Sequence, residues 1–348
     1  MSDVTIPQPT RPWQRKRSEV ARSGVSFGIV GLLSFGIVLF TGFAGVDGWA
    51  VCIMLLSVAA LIYRGRKLSK KERGNATVRL VITAAAVLAF APWLSILGSV
   101  LFKGVVGLRL NFITSDMRTT VPDDELNMGG ALHAVLGSLL MVLIATIITL
   151  PLGILSGVYL TEIKGRFTFL VRFVVQSMSG VPSIVAGLFI YAVWMIALGN
   201  QYSAGAGAMA LAILMIPTVA RTSEEVLKLI PQDLREAGTA LGGTQWRTVA
   251  MIVIPAARSG LITAVILGVA RVAGETAPLL LTMGGADAIN LNPFNGNSSA
   301  LPFYIWKNFS LGTETAVARA WTGILVLMIV VLFFFSITRI VGNRKVRS

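Results

Sequence analysis

The sequence predicts an all-α membrane protein with about eight transmembrane helices. Of its 348 residues, 55% are hydrophobic and only 13% are charged, whereas soluble domains carry roughly a quarter charged residues. The apolar residues occur in long blocks separated by short charged stretches. Because a helix needs about twenty predominantly apolar residues to cross the hydrocarbon core, these blocks predict one polytopic bundle and not two soluble domains.

Some of the candidate spanning blocks are irregular. The second is short, and the fifth is interrupted between Ser179 and Ser183 by a stretch that contains Pro182. Proline kinks a helix, and such a break survives in a membrane where protein or a water-filled cavity satisfies the backbone. We interpret the fifth block as one kinked span; two short spans are the alternative and would reverse the orientation of everything downstream. The blocks are 24–43, 48–63, 78–102, 131–160, 168–198, 204–220, 261–283 and 316–340.

The basic residues predict the orientation of the bundle. The net charge is +14, but the basic residues stand at the ends of apolar blocks and do not gather on one water-exposed face, so nucleic-acid binding is not predicted. Alternating the loops places most of them on one side, and lysine and arginine favour the cytoplasmic side. Both termini are therefore predicted to be cytoplasmic. That side holds Arg11, Arg15, Lys16, Arg17, Arg22, Arg64, Arg66, Lys67, Lys70, Lys71, Arg73, Lys164, Arg166, the segment 221–258, Arg344, Lys345 and Arg347; the other holds Lys103, Arg109, Arg118 and Lys307.

The composition disfavours catalysis. The chain contains one cysteine, Cys52, and one histidine, His133, which excludes an internal disulfide and disfavours a metal cluster. It has no Gly-x-x-x-x-Gly-Lys-Ser/Thr loop, so it is not predicted to hold ATP in that manner. We therefore predict no metal site and no cofactor, and we disfavour a membrane-embedded enzyme. A stand-alone secondary transporter or channel is the alternative class.

The stretch after the sixth block predicts a short polar helix near 231–243. Pro231 stands at its start, acidic residues occupy its first turns, and Gly242 and Gly243 would end it. The spacing resembles the EAA motif of ABC importer permeases, with Gly238 replacing the second alanine and Ile254 replacing leucine. The matching residues are Glu236, Ala237, Gly238, Gly242, Ile252, Ile254 and Pro255. The resemblance implies a coupling helix that inserts into a groove on a separate ATPase subunit, with coupling residues Arg235, Glu236, Ala237, Gly238 and Gly242.

Further segments resemble the PstA-type permeases of bacterial phosphate importers. They are 271–279 (RVAGETAPL), 179–187 (SGVPSIVAG) and 216–225 (IPTVARTSEE), and the likeness runs from about Thr77 to the end. The resemblance implies a type I ABC importer transmembrane bundle with a six-helix core in 77–348. A basic cytoplasmic tail and an extra transmembrane hairpin would then occupy 1–76.

The same resemblance implies a function and partners. The chain would form half of the phosphate path of an ATP-driven importer in the bacterial inner membrane, while a separate subunit hydrolyses ATP. The implied partners are a PstC-like permease, two PstB-like ATPase subunits, a periplasmic phosphate-binding protein, phosphate and membrane lipid.

Arg271 and Glu275 are the first candidates for the substrate path. They lie inside the seventh block, where a charged side chain is costly and normally faces the bundle interior. Four residues apart on one helix face, they can pair. Arginine offers planar donors to phosphate oxygens, and a carboxylate accepts the hydrogen of protonated phosphate, so the pair could favour phosphate over sulfate. A purely structural ion pair is the alternative.

Arg221, Ser179 and Ser183 complete the predicted path. Arg221 ends the sixth block beside Glu224 and Glu225, where it either guards the inner mouth of the path or anchors the helix at the interface. The two serines flank the break in the fifth block. Their hydroxyls would either donate to an anion or satisfy carbonyls freed by the break.

Overall fold

The computed structural model describes residues 70–343 and, before them, only positions 31–34, 36–37, 52, 56 and 58–59. Apart from those positions, the first two predicted spans lie outside the described residues, as do the basic residues of the amino-terminal tail and of 344–348. The extra hairpin in 1–76 therefore stays a prediction. The chain divides into two compact units, Met1–Ser99 and Val100–Ser348, and the candidate site belongs to the second.

The described part of the chain is helical. Within the described residues, the only β-structure is one isolated β-bridge between Gly284 and Ser298. Three helices are continued by π-helical turns, at Tyr159–Ile163, Tyr191–Ala197 and Val249–Val253. The helices are α1 (Lys70–Gly104), α2 (Leu110–Thr114), α3 (Leu132–Val158), α4 (Thr168–Ser179), α5 (Ser183–Ile190), α6 (Ala204–Lys228), α7 (Gln232–Ala240), α8 (Gln245–Thr248), α9 (Ile254–Val272), α10 (Ala277–Leu280), α11 (Leu301–Leu311) and α12 (Glu314–Asn343).

Most of the predicted spans in the described residues correspond to long apolar helices. Four stretches are long and apolar enough to cross a membrane: Leu132–Ile163, Ala204–Lys228, Gln245–Val272 and Glu314–Phe333. The bent pair of α4 with α5 and its π-helical turn would make a fifth. The predicted block 78–102 falls within α1. The total of about eight spans for the whole chain stays a prediction.

The break in the fifth block is much sharper than the predicted kink. The helices on its two sides meet at 106°, a geometry that both a broken span and a re-entrant loop can have. Pro182 precedes α5 with an extended backbone, ψ 141°, and its ring cannot continue the helix before it. The hydroxyl of Ser179 donates to the carbonyl of Val175 at 2.9 Å. The side chain of Ser179 is thus bonded back to the carbonyl four residues earlier in its own helix.

Helix α6 is the central helix of the second unit. Of its most apolar 18-residue stretch, 72% is buried. Small residues let α3 approach it closely, because a Cβ added at Gly153 would lie 2.8 Å from the side chain of Val219. A Cβ at Gly157 would lie 2.8 Å from Ser223 Cβ. Close approach at small residues is how membrane helices gain packing energy without a hydrophobic driving force.

A buried arginine holds the segment 115–130 against α12. Arg319 is only 1% exposed. Its guanidinium donates to the carbonyls of Asp124 (3.0 Å), Glu125 (2.8 Å) and Met128 (2.9 Å). The sequence analysis missed this residue, although a lone arginine inside an apolar block is a signal of a specific interior contact.

Candidate coupling and translocation site

The predicted short polar helix is confirmed as α7. Pro231 is its N-cap residue and Asp233 lies in its first turn, where a carboxylate interacts favourably with the helix dipole. The helix ends before Gly242, whose φ of +81° is a left-handed conformation that favours glycine. These local signals place a polar helix between the long apolar helices α6 and α9.

Gly238 lets α7 lie directly on the segment that follows it. Gly238 is buried, and a Cβ there would lie 2.6 Å from Thr248 Cγ2 and 2.8 Å from Ile252 Cδ1. The N–H of Gly243 donates to the Gly238 carbonyl at 3.2 Å. Gly238 therefore allows close packing of α7 against the segment 248–252 of the same chain. The alanine that the EAA pattern expects would not fit here without a shift of these neighbours.

Arg235 also turns inward. It forms a bidentate ion pair with Glu162, with Nε to Oε2 at 2.9 Å and Nη2 to Oε1 at 2.7 Å. It donates as well to the carbonyls of Ile230 (2.6 Å) and Leu227 (2.9 Å) at the end of α6. The hydrogen bonds to Glu162 raise the pKa of Arg235, although burial opposes this effect. The structure thus gives Arg235 a partner within the chain, and the sequence analysis had not singled out Glu162.

Other residues of α7 and of the stretch after it are exposed. Glu236 and Ala237 are exposed. Leu241 is 88% exposed and Trp246 is 62% exposed. We call Leu234, Glu236, Ala237, Leu241 and Trp246 the docking surface. Large apolar side chains exposed beside a polar helix are typical of a protein interaction site.

Arg271 contacts α6 and does not pair with Glu275. Helix α9 ends at Val272, so the two residues do not share a helix face as predicted. Glu275 lies in the turn beyond, where its N–H donates to the Val272 carbonyl at 3.1 Å. Nη1 of Arg271 instead donates to the hydroxyl of Thr218 at 2.7 Å. The expected ion pair is absent among the described residues.

Thr218 belongs to a polar stripe on α6. The stripe consists of Thr218, Arg221, Thr222 and Glu225, a spacing that puts them on one helix face. Arg221 is exposed and lines a cavity of about 400 Å³ with Thr222 and Glu225. Glu224 and Arg172 line the same cavity and pair with each other at 2.9 Å, and Glu224 also pairs with Lys228 at 3.0 Å. In residues 70–343 neither Arg271 nor Arg221 has a carboxylate partner.

Comparison with known proteins decides the family. Residues 149–347 match the family described as binding-protein-dependent transport system inner membrane component. The chain belongs to this family. The phosphate transport system permease protein PstA of Mycobacterium leprae (strain TN) is 38% identical over 276 residues, covering 79% of this chain and 90% of that protein. The protein of the same name from Yersinia pestis is 36% identical over 308 residues, covering 85% of this chain and 99% of that one.

A solved structure shows the same fold. A chain of the MetNI methionine ABC transporter, in an inward-facing conformation, matches with a TM-score of 0.52 at 20% sequence identity, covering 60% of this chain and 93% of that chain. Fold and family together confirm the predicted all-α ABC importer permease. The chain is thus a multi-pass inner-membrane permease that works with a substrate-binding protein and with an ATPase, and ATP hydrolysis belongs to the ATPase.

In this permease the segments used for the sequence resemblance meet in space. A Cβ at Gly187 of α5 would lie 2.7 Å from the Cα of Pro278 in α10, so 179–187 touches 271–279. Arg271 in turn contacts Thr218 of 216–225. Ser183 is half-buried in the first turn of α5. Of the predicted path residues, Arg221 lies on α6 and Arg271 contacts it, whereas Ser179 is bonded to its own helix and Glu275 is separate from Arg271.

Proposed function

We propose that this permease carries phosphate into the cell as one half of the translocation path of an ATP-driven importer. The phosphate specificity is supported by the relatives named phosphate transport system permease protein PstA. A PstC-like permease would form the other half, and a periplasmic phosphate-binding protein would deliver the anion. The predicted orientation, with both termini in the cytoplasm, completes the proposal.

The observation that carries the proposal is the pairing of Arg271 with a neutral hydroxyl. A guanidinium has five N–H donors, and one hydrogen bond to Thr218 leaves most of them for an oxyanion. Arginine presents these donors in a planar fork that matches phosphate oxygens. Arg221, on the same stripe as Thr218, would meet the anion nearer the inner mouth. Glu275 and Ser183 would complete the path, with the carboxylate accepting the hydrogen of protonated phosphate.

The docking surface supports the part of the proposal that concerns coupling to the ATPase. Two PstB-like ATPase subunits would bind the importer, one of them through α7 of this chain, as an amphipathic helix binds in a groove. Glu236 and Ala237 face outward on this helix, whereas Arg235, Gly238 and Gly242 hold its position. ATP binding would close the ATPase pair and turn the path outward, and hydrolysis would reset it.

Uptake by the reconstituted importer tests the proposal. Proteoliposomes that contain this chain, the PstC-like permease and the ATPase should take up radiolabelled phosphate when the phosphate-binding protein is outside and MgATP is inside. Unlabelled phosphate should compete and sulfate should not. Uptake without ATP, or equal competition by sulfate, would contradict the proposal.

A further inference from the structure

We infer that the Glu162–Arg235 ion pair is the joint through which a movement of α7 is passed to the spanning helices α3 and α6. This inference rests on the proposed function, because it assigns to both residues a positioning role in ATP-driven transport. Neither residue needs to touch the ATPase or the transported anion. The joint is defined by Glu162, Arg235 and the backbone groups that they bind.

Arg235 connects α7 to the end of the preceding helix α6 and to the end of α3, which is distant in the chain. Its guanidinium holds Glu162, which lies 73 residues earlier in the π-helical turn after α3. The same guanidinium binds the carbonyls of Leu227 in the last turn of α6 and Ile230 beyond it. The Leu227 carbonyl also accepts from the Ile230 N–H at 3.2 Å. One side chain of α7 thus binds both the end of α6 and the end of α3.

The pair is partly buried at the side of a polar cleft, where its carboxylate is well shielded from solvent. The side chain of Glu162 is 5% exposed and that of Arg235 is 19% exposed. A bidentate pair fixes orientation as well as distance. Removing Arg235 would leave the shielded carboxylate of Glu162 without its counter-ion. A displacement of α7 should therefore carry the end of α3 with it, since the alternative is to break both hydrogen bonds of the pair.

The backbone around Glu162 is suited to a joint. Glu162 lies in a π-helical turn, and such turns are frequent at functional sites in helices. The turn ends at Lys164, whose φ of +49° is a left-handed conformation rare for a residue with a side chain. The side chain of Gln245, in α8, also donates to the carbonyl of Glu162. Both α7 and α8 are thus attached to this single turn.

Contacts along α3 complete the route to the proposed substrate path. Gly157 and Gly153 pack α3 against Ser223 and Val219 of α6. Val219 directly follows Thr218, the residue that binds Arg271. A shift of α3 is therefore transmitted at close-packed contacts to α6, the helix that also carries Thr218. A displacement would thus pass from α7 through the Glu162–Arg235 pair to α3, and from α3 to α6.

Substitutions in the assembled importer test the joint. Glu162→Gln and Arg235→Gln should leave the complex with the ATPase assembled but reduce phosphate uptake per ATP hydrolysed by about tenfold or more. The double variant should be no worse than either single variant, because residues that act as one unit are not additive. Glu162→Asp, which keeps the carboxylate, should restore part of the uptake per ATP. The matched control is Asp287→Asn, which breaks a 2.7 Å ion pair with Lys307, far along the chain from α7. It should change neither the assembly of the complex nor the phosphate uptake per ATP hydrolysed.

Two results would overturn the inference. Unchanged uptake per ATP in Glu162→Gln would show that the pair transmits nothing. A loss of assembled complex that accounts for all of the lost uptake, with no rescue by Glu162→Asp, would reduce the pair to a folding contact. If the unaltered importer takes up a different oxyanion, the phosphate proposal fails, and uptake of that oxyanion per ATP still tests the joint.

Discussion

Replacing Arg271 with glutamine should lower phosphate uptake by the assembled importer about ten- to hundredfold, because a hydrogen bond to a charged group contributes about 1.5–3 kcal/mol. Glutamine retains polarity, but it carries no charge for the anion. The complex with the ATPase should form normally, since Arg271 is exposed and makes no ion pair within the described residues. Initial uptake rates of radiolabelled phosphate measure the effect.

Two further variants make this result specific. Arg258→Gln removes an exposed arginine near the other end of α9 and should leave uptake unchanged. Arg271→Lys keeps the charge but not the planar fork and should give intermediate uptake. Normal uptake by Arg271→Gln would remove Arg271 from the substrate path and leave it as a residue that holds α9 to α6.

Replacing Arg319 with methionine should destabilise the permease by about 3 kcal/mol or more, because three carbonyls lose a charged donor. Methionine fills a similar length without offering a donor. The segment 115–130 should then separate from α12 and exchange its amide hydrogens faster. Hydrogen exchange of this segment and thermal unfolding of the detergent-solubilised protein measure both effects.

An exposed arginine in the same segment provides the control. Arg118 is exposed, and Arg118→Met should change stability by less than about 0.5 kcal/mol, as is usual for surface substitutions. Amide exchange in 115–130 that stays as slow in Arg319→Met as in the unaltered protein would contradict the role assigned to Arg319.

Features set by local sequence could be predicted. The thickness of the hydrocarbon core determines how long an apolar block must be, so the positions of α3, α6 and α12 follow from composition. The limits of α7 follow from Pro231 and Gly242, which act on the backbone of their own segment. The motifs also identified the family, because their residue types and spacing are local properties of the sequence.

Features set by tertiary contacts could not be predicted. The block 261–283 is largely apolar on both sides of Glu275, so composition suggested one longer helix, whereas in the fold α9 ends at Val272 and α10 packs Pro278 against Gly187. The end of α9 removes Glu275 from the face of Arg271. The partner of Arg235 is 73 residues away, and no periodic pattern connects positions so distant.

Cross-linking from the docking surface tests the central claim most directly, namely that a separate ATPase moves this permease through α7. In a Cys52→Ser background, the single cysteine of Leu241→Cys is labelled with a photoactivatable thiol reagent. The control is Leu311→Cys in α11, which is predicted to lie on the opposite side of the membrane. The account predicts that the cysteine at position 241 is labelled by reagent added on the cytoplasmic side and that its probe cross-links to the ATPase. The cysteine at position 311 should be labelled only from the outer side, and its probe should not cross-link to the ATPase. Labelling of the cysteine at position 241 only from the outer side, or no cross-link from it to the ATPase, would contradict the account.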